Sequence, residues 1–452
     1  MDTTLLILLI YLGFIFLIAW FFSRRESLDE YFLNKKKTSL WLMTFANVST
    51  VVGAGGCVAI VAEVYNTGIS YGIALPISFI FGMIILGIVS KRIKQVGDKY
   101  KAHTIVDFFE KRYDKRNQIL TGILQLFTLI VWISVQAVAM ASLGSVLLGL
   151  EYNIALILAA VITILYTAMG GLKIDIITDF IQFWIIFIIF ILMAIIGYIK
   201  VGGFSSLLSS LPNGHLNLFA FGGVSWFMGA VLLSGFLYLG NTAHWQRIFS
   251  AENEDTARKA FYLSIPFVII LGLTILFLGL VSASLLTGIN KDIAIFSLIG
   301  RLLPKSLTGI GFAAILAVIM SSIDSLLVGG STIIYKAIYK EKRKKITTAR
   351  IITGFFGIIG FLIAYLIPDI VLLSIFVVYL ALLFVPPIFA GLYSKKISAD
   401  ASFYSILIPF MFLLILFPIS DKSAFLITTP LGIIIISFYD KLSRKKIQPK
   451  LL

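Results

Sequence analysis

The sequence contains very little cysteine, histidine or charge. Its single cysteine, Cys57, excludes an intramolecular disulfide, a cysteine-based zinc site and an iron–sulfur cluster. The three histidines lie far apart and form no His-x-x-x-His pair, and the chain has no Gly-rich loop ending in Lys-Ser or Lys-Thr. We therefore expect neither ATP hydrolysis nor an intramembrane enzyme.

Charged residues make up 13% of the 452 residues, hydrophobic residues 59%, and the mean hydropathy is +1.02. These values exclude a soluble globular protein and a disordered one, and predict an all-α polytopic membrane protein. Thirteen apolar runs are long enough to cross roughly 30 Å of hydrocarbon. They lie near Thr4–Phe22, Leu40–Tyr65, Ile69–Ser90, Gln118–Leu150, Ile154–Gly170, Ile174–Ile199, Gly223–Ala243, Ala260–Thr287, Thr308–Tyr335, Ile351–Ile367, Ile370–Tyr393, Ala401–Phe417 and Ala424–Phe438.

The basic residues predict the orientation of these spans. If the amino terminus is outside, 32 of the 37 lysines and arginines fall in cytoplasmic segments. This bias satisfies the positive-inside rule and places the carboxyl terminus in the cytoplasm of a multi-pass cell-membrane protein. The net charge of +15 thus reports topology, so we expect the lipid bilayer, and not nucleic acid, as a partner. Nothing in the sequence predicts an oligomeric state.

Two spans carry glycines that favour a break in the helix. The second span contains Gly53, Gly55 and Gly56 at mid-membrane, and the seventh contains Gly229, Gly235 and Gly240. Each glycine costs a helix about 1 kcal/mol relative to alanine. Close helix packing is the alternative explanation. Inverted-repeat transporters bind their ligands between two such breaks.

The breaks also divide the chain. We predict a first span and loop at 1–38, a five-helix repeat at 39–203, a second, inverted repeat at 204–394, and two peripheral spans with a basic tail at 395–452.

The ninth span carries an unusual polar cluster of Ser321, Ser322, Asp324 and Ser325. An ionised Asp at mid-span costs about 2.5–3.5 kcal/mol on insertion scales, so the cluster must face protein, water or a cation. Hard oxygen ligands suit a small alkali cation. Interhelical hydrogen bonding is the alternative for the serines. Asp179 in the sixth span is either part of such a site or an interfacial acid paired with a neighbour such as Lys173.

Several motifs, in the correct order from Glu26 to about Tyr393, resemble the sodium/solute symporter family. The segments that carry the resemblance are Ser27–Leu33, Tyr65–Gly68, Thr104–Tyr113, Gly170–Gly171 with Thr178–Gln182, His244–Arg247 with Ala257–Arg258, and Met320–Ser325. The resemblance implies a LeuT-type fold with a 5+5 inverted-repeat core and broken helices, and sodium as the coupling ion.

The resemblance also implies site residues. A main sodium site would use the carbonyls of Ser49, Val52 and Val318 and the hydroxyls of Ser321 and Ser322. A second sodium would be bound by Asp179, Ser321, Asp324 and Ser325, and the solute by Gly53, Gly55, Gly56, Gln136 and Asn241.

The expected function is secondary active transport, as sodium-coupled symport of a small organic solute of amino acid, carboxylate or vitamin-like type. Val51 stands where proline-transporting relatives have an acid, and Gly55 and Gly56 stand where sugar-transporting relatives have polar residues. A sugar is therefore not expected, and the solute stays open. Proton coupling through Asp179 or Asp324, and a sensor or scaffold that moves no solute, are the alternatives.

Overall fold

The structure is a computed structural model that describes residues 3–24, 26–338, 345–394, 396–419 and 424–447. Some basic residues behind the predicted orientation, in 339–344 and in the tail 448–452, lie outside the described residues.

Twenty α-helices account for nearly all of the described chain. In chain order they are α1 Thr3–Ser23, α2 Leu28–Leu33, α3 Leu40–Val52, α4 Val58–Thr67, α5 Ile69–Tyr100, α6 Ile105–Arg112, α7 Lys115–Leu148, α8 Tyr152–Met169, α9 Leu172–Lys200, α10 Gly203–Ser210, α11 Gly223–Leu233, α12 Thr242–Ser250, α13 Glu254–Leu285, α14 Ala294–Leu302, α15 Lys305–Ile338, α16 Ile346–Leu366, α17 Ile370–Leu382, α18 Val385–Tyr393, α19 Ala399–Leu416 and α20 Phe425–Ile447.

Local sequence explains where several helices begin. Ser27 caps α2 and Thr104 caps α6, each in a capping box with an acid three residues later. Asp114, Asn253 and Ser398 accept a backbone N–H at the start of α7, α13 and α19. These caps satisfy N–H groups at the ends of the spans, where the chain turns back towards the bilayer.

The count of thirteen spans is not confirmed. By length and composition, twelve spans can cross a membrane in the described chain, if each of two bent helix pairs counts as one. The thirteenth predicted run, Ala424–Phe438, corresponds to the shorter apolar stretch Phe425–Tyr439 of α20. The count differs because charged residues follow Tyr439 directly. The α20 helix continues through them, but its apolar part ends there.

Both glycine-rich spans are bent, as the sequence predicts. The axis turns by 70° between Leu40–Val52 and Ala54–Thr67, and by 48° between Gly223–Tyr238 and Thr242–Ser250. Gly240 lies at the second break, where a Cβ atom would stand 2.0 Å from the carbonyl oxygen of Ala381 in α17. A side chain there would force α11, α12 and α17 apart.

Helix α15 lies at the centre of the molecule. In the most apolar 18-residue stretch of α15, 94% of the residues are buried inside the protein. The corresponding share is 22% for α1, which packs against α15. α15 also contacts α3, α7, α9 and α12. The polar cluster of the ninth span therefore faces protein on every side.

Candidate functional site

The break between α3 and α4 is packed directly against α15. After Val52 the backbone turns at Gly53, and the carbonyl of Gly53 accepts the N–H groups of Gly56 and Cys57, each at 2.9 Å. A Cβ atom on Gly53 would lie 2.0 Å from the Oγ of Ser322. Glycine is thus required here because the α15 serine occupies the space of a side chain.

The residues predicted for the main sodium site largely meet at this contact. The Oγ of Ser321 lies 3.2 Å from the carbonyl oxygen of Ser49 and 3.0 Å from that of Val318. The hydroxyl of Ser322 donates to the carbonyl of Thr50 at 3.0 Å. All of these groups are buried or nearly so. Val52, the remaining predicted ligand, ends α3 one residue before Gly53.

This donor set fits an alkali cation. One hydroxyl hydrogen cannot fully satisfy two carbonyl oxygens, so the carbonyls of Ser49 and Val318 share the hydroxyl of Ser321 and keep acceptor capacity. The hydroxyl oxygen itself is a hard ligand of the same type. The buried Oγ of Ser49 has no hydrogen-bond partner in the described part of the chain.

All five residues predicted to bind the solute line one cavity, which lies beside the same contact. Gly53, Gly55, Gly56, Gln136 and Asn241 contribute to its wall together with Ser322. Gln136, in α7, accepts the backbone N–H of Ala54 at 2.9 Å through its Oε1. Asn241 caps α12, and its Oδ1 accepts the N–H of Ala243 at 2.9 Å. The two breaks and α7 thus enclose a common space.

Sequence reasoning missed the aromatic part of this wall. The rings come from five different spans, and no spacing pattern marked them as facing inward; they belong to Tyr71, Phe79, Trp132, Trp226, Tyr238, Tyr379 and Phe425. Thr50, also on the wall, was missed as well: its hydroxyl lies 3.3 Å from Asp179 Oδ2 and 3.3 Å from the carbonyl of Ser321. Thr50 therefore contacts the cavity, the candidate sodium site and an acidic cluster.

That acidic cluster consists of Asp175 and Asp179, which contact the buried guanidinium of Arg247, and of Asp324, which lines a small cavity together with Asp175. The Nη2 of Arg247 lies 2.5 Å from Asp179 Oδ2 and 3.4 Å from Asp175 Oδ2. It also donates to the hydroxyl of Ser325 at 2.7 Å, and that hydroxyl donates to Asp175. The partner of Asp179 is thus Arg247, and not Lys173, which pairs with Glu30.

The four residues predicted for a second sodium come from α9 and α15, and their side chains point in different directions. Asp179 and Ser325 share Arg247, Asp324 accepts the hydroxyl of Thr167 at 2.5 Å, and Ser321 faces the main site. Asp179 Oδ1 and Asp324 Oδ2 are buried without a hydrogen bond from any described residue. Two carboxylates therefore pair with one guanidinium, and Asp324 has no basic partner among the described residues, so the three acids carry excess negative charge when all are ionised.

A second set of ion pairs ties α6 to the end of α15. Lys336 lies 3.0 Å from Asp107 Oδ2 and 2.9 Å from His103 Nδ1. Burial and the Lys336 ammonium lower the pKa of His103 to about 4, so its ring is neutral at physiological pH. Burial would raise the pKa of Asp107, but Lys336 and two backbone N–H groups outweigh it and hold that pKa below its usual range.

Comparisons with a family model and with curated proteins all match sodium symporters. The family model of the sodium:solute symporter family matches residues 31–408. A sodium/pantothenate symporter of Haemophilus influenzae is 25% identical over 350 residues, which cover 74% of this chain and 71% of the relative. A sodium/proline symporter of Staphylococcus aureus is 27% identical over 365 residues, 76% of this chain and 70% of the relative.

Two solved structures share the fold. One is the substrate-bound, outward-open state of a Na+-coupled sialic acid symporter, with a TM-score of 0.85, 19% identity and 97% of each chain covered. Another is Mhp1, a nucleobase-cation-symport-1 family transporter, with a TM-score of 0.61, 11% identity, and 91% of this chain and 93% of that one covered.

Proposed function

Because this chain belongs to the sodium:solute symporter family, we propose that it couples the entry of sodium to the uptake of a small organic solute across the cell membrane. The family consists of transporters and not enzymes, and sodium is its coupling ion. The fold is an all-α, LeuT-like one with two broken helices. The solute classes that we propose are amino acids, carboxylates and vitamin-like compounds.

The observation that carries the proposal is the double role of Ser322. Its hydroxyl touches the carbonyl end of α3 within the candidate sodium site, and the same side chain lines the solute cavity. Binding or release of either ligand therefore alters the wall of the other ligand's site. Direct sharing of a residue provides the energetic coupling between two sites that symport requires.

The chain's own groups determine how this coupling works. A bound Na+ would supply the positive charge that the carbonyls of Ser49, Val52 and Val318 and the hydroxyls of Ser321 and Ser322 can coordinate. These oxygens belong to α3 and α15, so their joint coordination stabilises the contact between the first break and α15. With that contact fixed, Gly53, Gly55 and Gly56 keep the shape that receives the solute. Alternating access then moves the two halves of the core around this site.

The acidic cluster favours a further bound cation, either a second sodium or, in the alternative of proton coupling, a proton. Asp175, Asp179 and Asp324 exceed the single charge of Arg247, and each excess carboxylate needs a proton or a cation when it is buried. We propose that a second sodium, held by Asp179, Ser321, Asp324 and Ser325, neutralises part of this charge. A proton on Asp324 is the alternative.

Asp324→Asn distinguishes these two possibilities. The amide keeps the acceptor for Thr167 and removes the charge. With a second sodium, the Hill coefficient for sodium activation of uptake should lie above one in the wild type and fall towards one in Asp324→Asn. A wild-type coefficient of one would rule out the second sodium, and uptake driven by a pH gradient without any sodium would instead establish proton coupling.

Uptake into proteoliposomes tests the proposed function as a whole. Purified protein should accumulate a labelled solute from a panel of proline, pantothenate and short monocarboxylates under an inward sodium gradient. A potassium gradient of equal size is the control, and should give no accumulation. Equal uptake under both gradients for every solute that enters would rule out sodium symport, whereas no uptake of any solute would favour the sensor or scaffold interpretation.

A further inference from the structure

The described wall of the solute cavity has no side chain that could pair with an ammonium group. Among its described lining residues there is no aspartate, glutamate, lysine or arginine. The nearest carboxylate of the acidic cluster, Asp179, is separated from the cavity by Thr50, whose hydroxyl donates to it, and is paired with Arg247. An ammonium group of a solute would therefore find no counter-ion on the wall.

The wall does offer hydrogen-bond donors, in a fixed orientation. The Oε1 of Gln136 accepts the N–H of Ala54, and the Oδ1 of Asn241 accepts the N–H of Ala243. Because a backbone N–H can only donate, these bonds fix which end of each side-chain amide is the NH2 group. Neither NH2 group donates to another described residue, although both side chains are at least 98% buried. Two buried donors thus lie on the cavity without an acceptor.

Several aromatic rings of the wall pack against one another. Tyr71 stacks on Trp226 with centroids 5.6 Å apart, and Tyr379 stacks on Phe425 at 4.8 Å. Phe221 also contacts Trp226, at 4.6 Å in an edge-to-face arrangement. Stacking covers one face of each of the four stacked rings, which leaves fewer ring faces for a cation–π contact with an ammonium group.

From these observations we propose that the solute is a carboxylate without an ammonium group, an organic monoanion with a mainly apolar body. This inference rests on the proposed symport function and narrows its substrate class. The NH2 groups of Gln136 and Asn241 would donate to the carboxylate, which prefers such donors because its oxygens only accept. The apolar body would lie among side chains such as Leu75, Phe79 and Leu237.

The charge balance supports the same class. The candidate main sodium site adjoins the cavity through Ser322, so the sodium held there and a carboxylate in the cavity would form a locally neutral pair. A zwitterion with the same sodium would leave one uncompensated positive charge in a space that offers no acid to meet it.

Thermal shifts with matched solutes provide the first test. Proline, prolinamide and cyclopentanecarboxylate share a ring but differ in their charged groups, as do phenylalanine, phenylalaninamide and phenylpropanoate. Acetate, pyruvate and pantothenate extend the range of carboxylates. We expect one or more of the carboxylates without an ammonium to raise the Tm of the purified protein in sodium, and to do so less in potassium. The amino acids and amides should leave the Tm unchanged.

A larger shift with an amino acid than with its deaminated counterpart would overturn the inference, and so would a panel in which no such carboxylate acts. Sodium-driven uptake of proline in proteoliposomes would then show that the symport function stands while the carboxylate class is wrong.

Isosteric charge changes give the second test. Gln136→Glu and Asn241→Asp keep the oxygens that accept Ala54 and Ala243 but replace each NH2 donor with a negative oxygen. We expect each variant to bind the carboxylate roughly ten- to a hundredfold more weakly, while the Tm shift produced by sodium alone is retained.

Gln118→Glu is the matched control. This residue lies at the start of the same helix, where its side chain contacts Lys115 away from the cavity, so carboxylate binding should match the wild type. Wild-type affinity in Gln136→Glu would contradict the proposed donor role.

Discussion

At the scale of single residues, Ser321 and Ser322 are the groups on which the sodium site depends. Replacing either by alanine removes one oxygen ligand and leaves a buried carbonyl of Ser49 or Thr50 without its hydroxyl partner. The cost should be on the order of 1–3 kcal/mol of sodium binding, or roughly five- to a hundredfold in affinity. Sodium titration of uptake measures this as a shift to higher half-activating concentration.

Ser282→Ala is the matched control for that prediction. Its hydroxyl is buried in α13 and donates only to the carbonyl of Leu278 in its own helix, at 2.9 Å. The control should activate like the wild type. Superimposable curves for Ser322→Ala and the wild type would remove Ser322 from the site.

The chemistry of these residues was visible in the sequence, but their partners were not. Polar groups in an apolar helix must be satisfied, which marked Ser321, Ser322 and Asp324. Arg247 was noticed only as part of a motif, because a sequence does not give the distance between α12 and α9. A buried arginine next to a helix break is the signal that could have connected it to the acids.

At the scale of helices, the first break is held open by the lack of a side chain at Gly53. Gly53→Leu should abolish uptake while the protein still inserts, since a branched side chain would displace Ser322 and favour continuous helix. Gly13→Leu is the matched control, because a Cβ atom there meets nothing within 4 Å. Expression and uptake of both variants are compared; full activity of Gly53→Leu would show that the break has no role.

The junction of α1, α2 and α9 contains an acid that should make stability depend on pH. Burial raises the pKa of Glu26 to about 7, against the opposing effect of the Gly171 N–H and Arg350. Between its unfolded pKa near 4.5 and about 7, the folded state holds a proton that the unfolded state has lost, so stability falls as pH rises through this range.

Glu26→Gln should remove this component. Thermal unfolding in detergent, scanned across the same pH range, should show a smaller decrease in Tm for Glu26→Gln than for the wild type. Burial raises the pKa of Asp292 to about 6, so this acid also makes the Tm fall with rising pH. Both proteins keep Asp292, so only the difference between their curves reports Glu26. Parallel curves for the two proteins would show that Glu26 stays ionised.

The positions of the helices along the chain were more predictable than the way in which the helices bend and pack against one another. Hydropathy located most of the spans to within a few residues, although α5 extends ten residues beyond the predicted end at Ser90, and glycine content located both breaks. The bends of 70° and 48°, and the contact of Gly53 with Ser322, depend on packing between distant segments, which a single sequence does not reveal. For the same reason the sequence predicted five residues of the cavity wall but none of its rings.

At the scale of the whole molecule, the orientation in the membrane remains a prediction that the chain itself makes easy to test. The only cysteine, Cys57, is fully buried. Single cysteines can therefore be introduced at exposed sites and labelled without a change of background. Ser209→Cys lies on the predicted outer side and Glu252→Cys on the predicted cytoplasmic side.

With the amino terminus outside, a membrane-impermeant maleimide added to intact cells should label Ser209→Cys and not Glu252→Cys. Both should react after the membrane is permeabilised, which controls for accessibility. The reverse labelling pattern would invert the topology.

The aromatic wall of the cavity has an optical consequence. Trp132 and Trp226 line the space, whereas Trp20 and Trp41 are among the exposed residues of the outer surface. A solute that displaces water from the cavity should shift the emission wavelength of the first pair, while a lipid-soluble quencher should dim the second. The protein thus contains intrinsic fluorophores for both of its environments, so its occupancy can be followed in real time, without any attached dye.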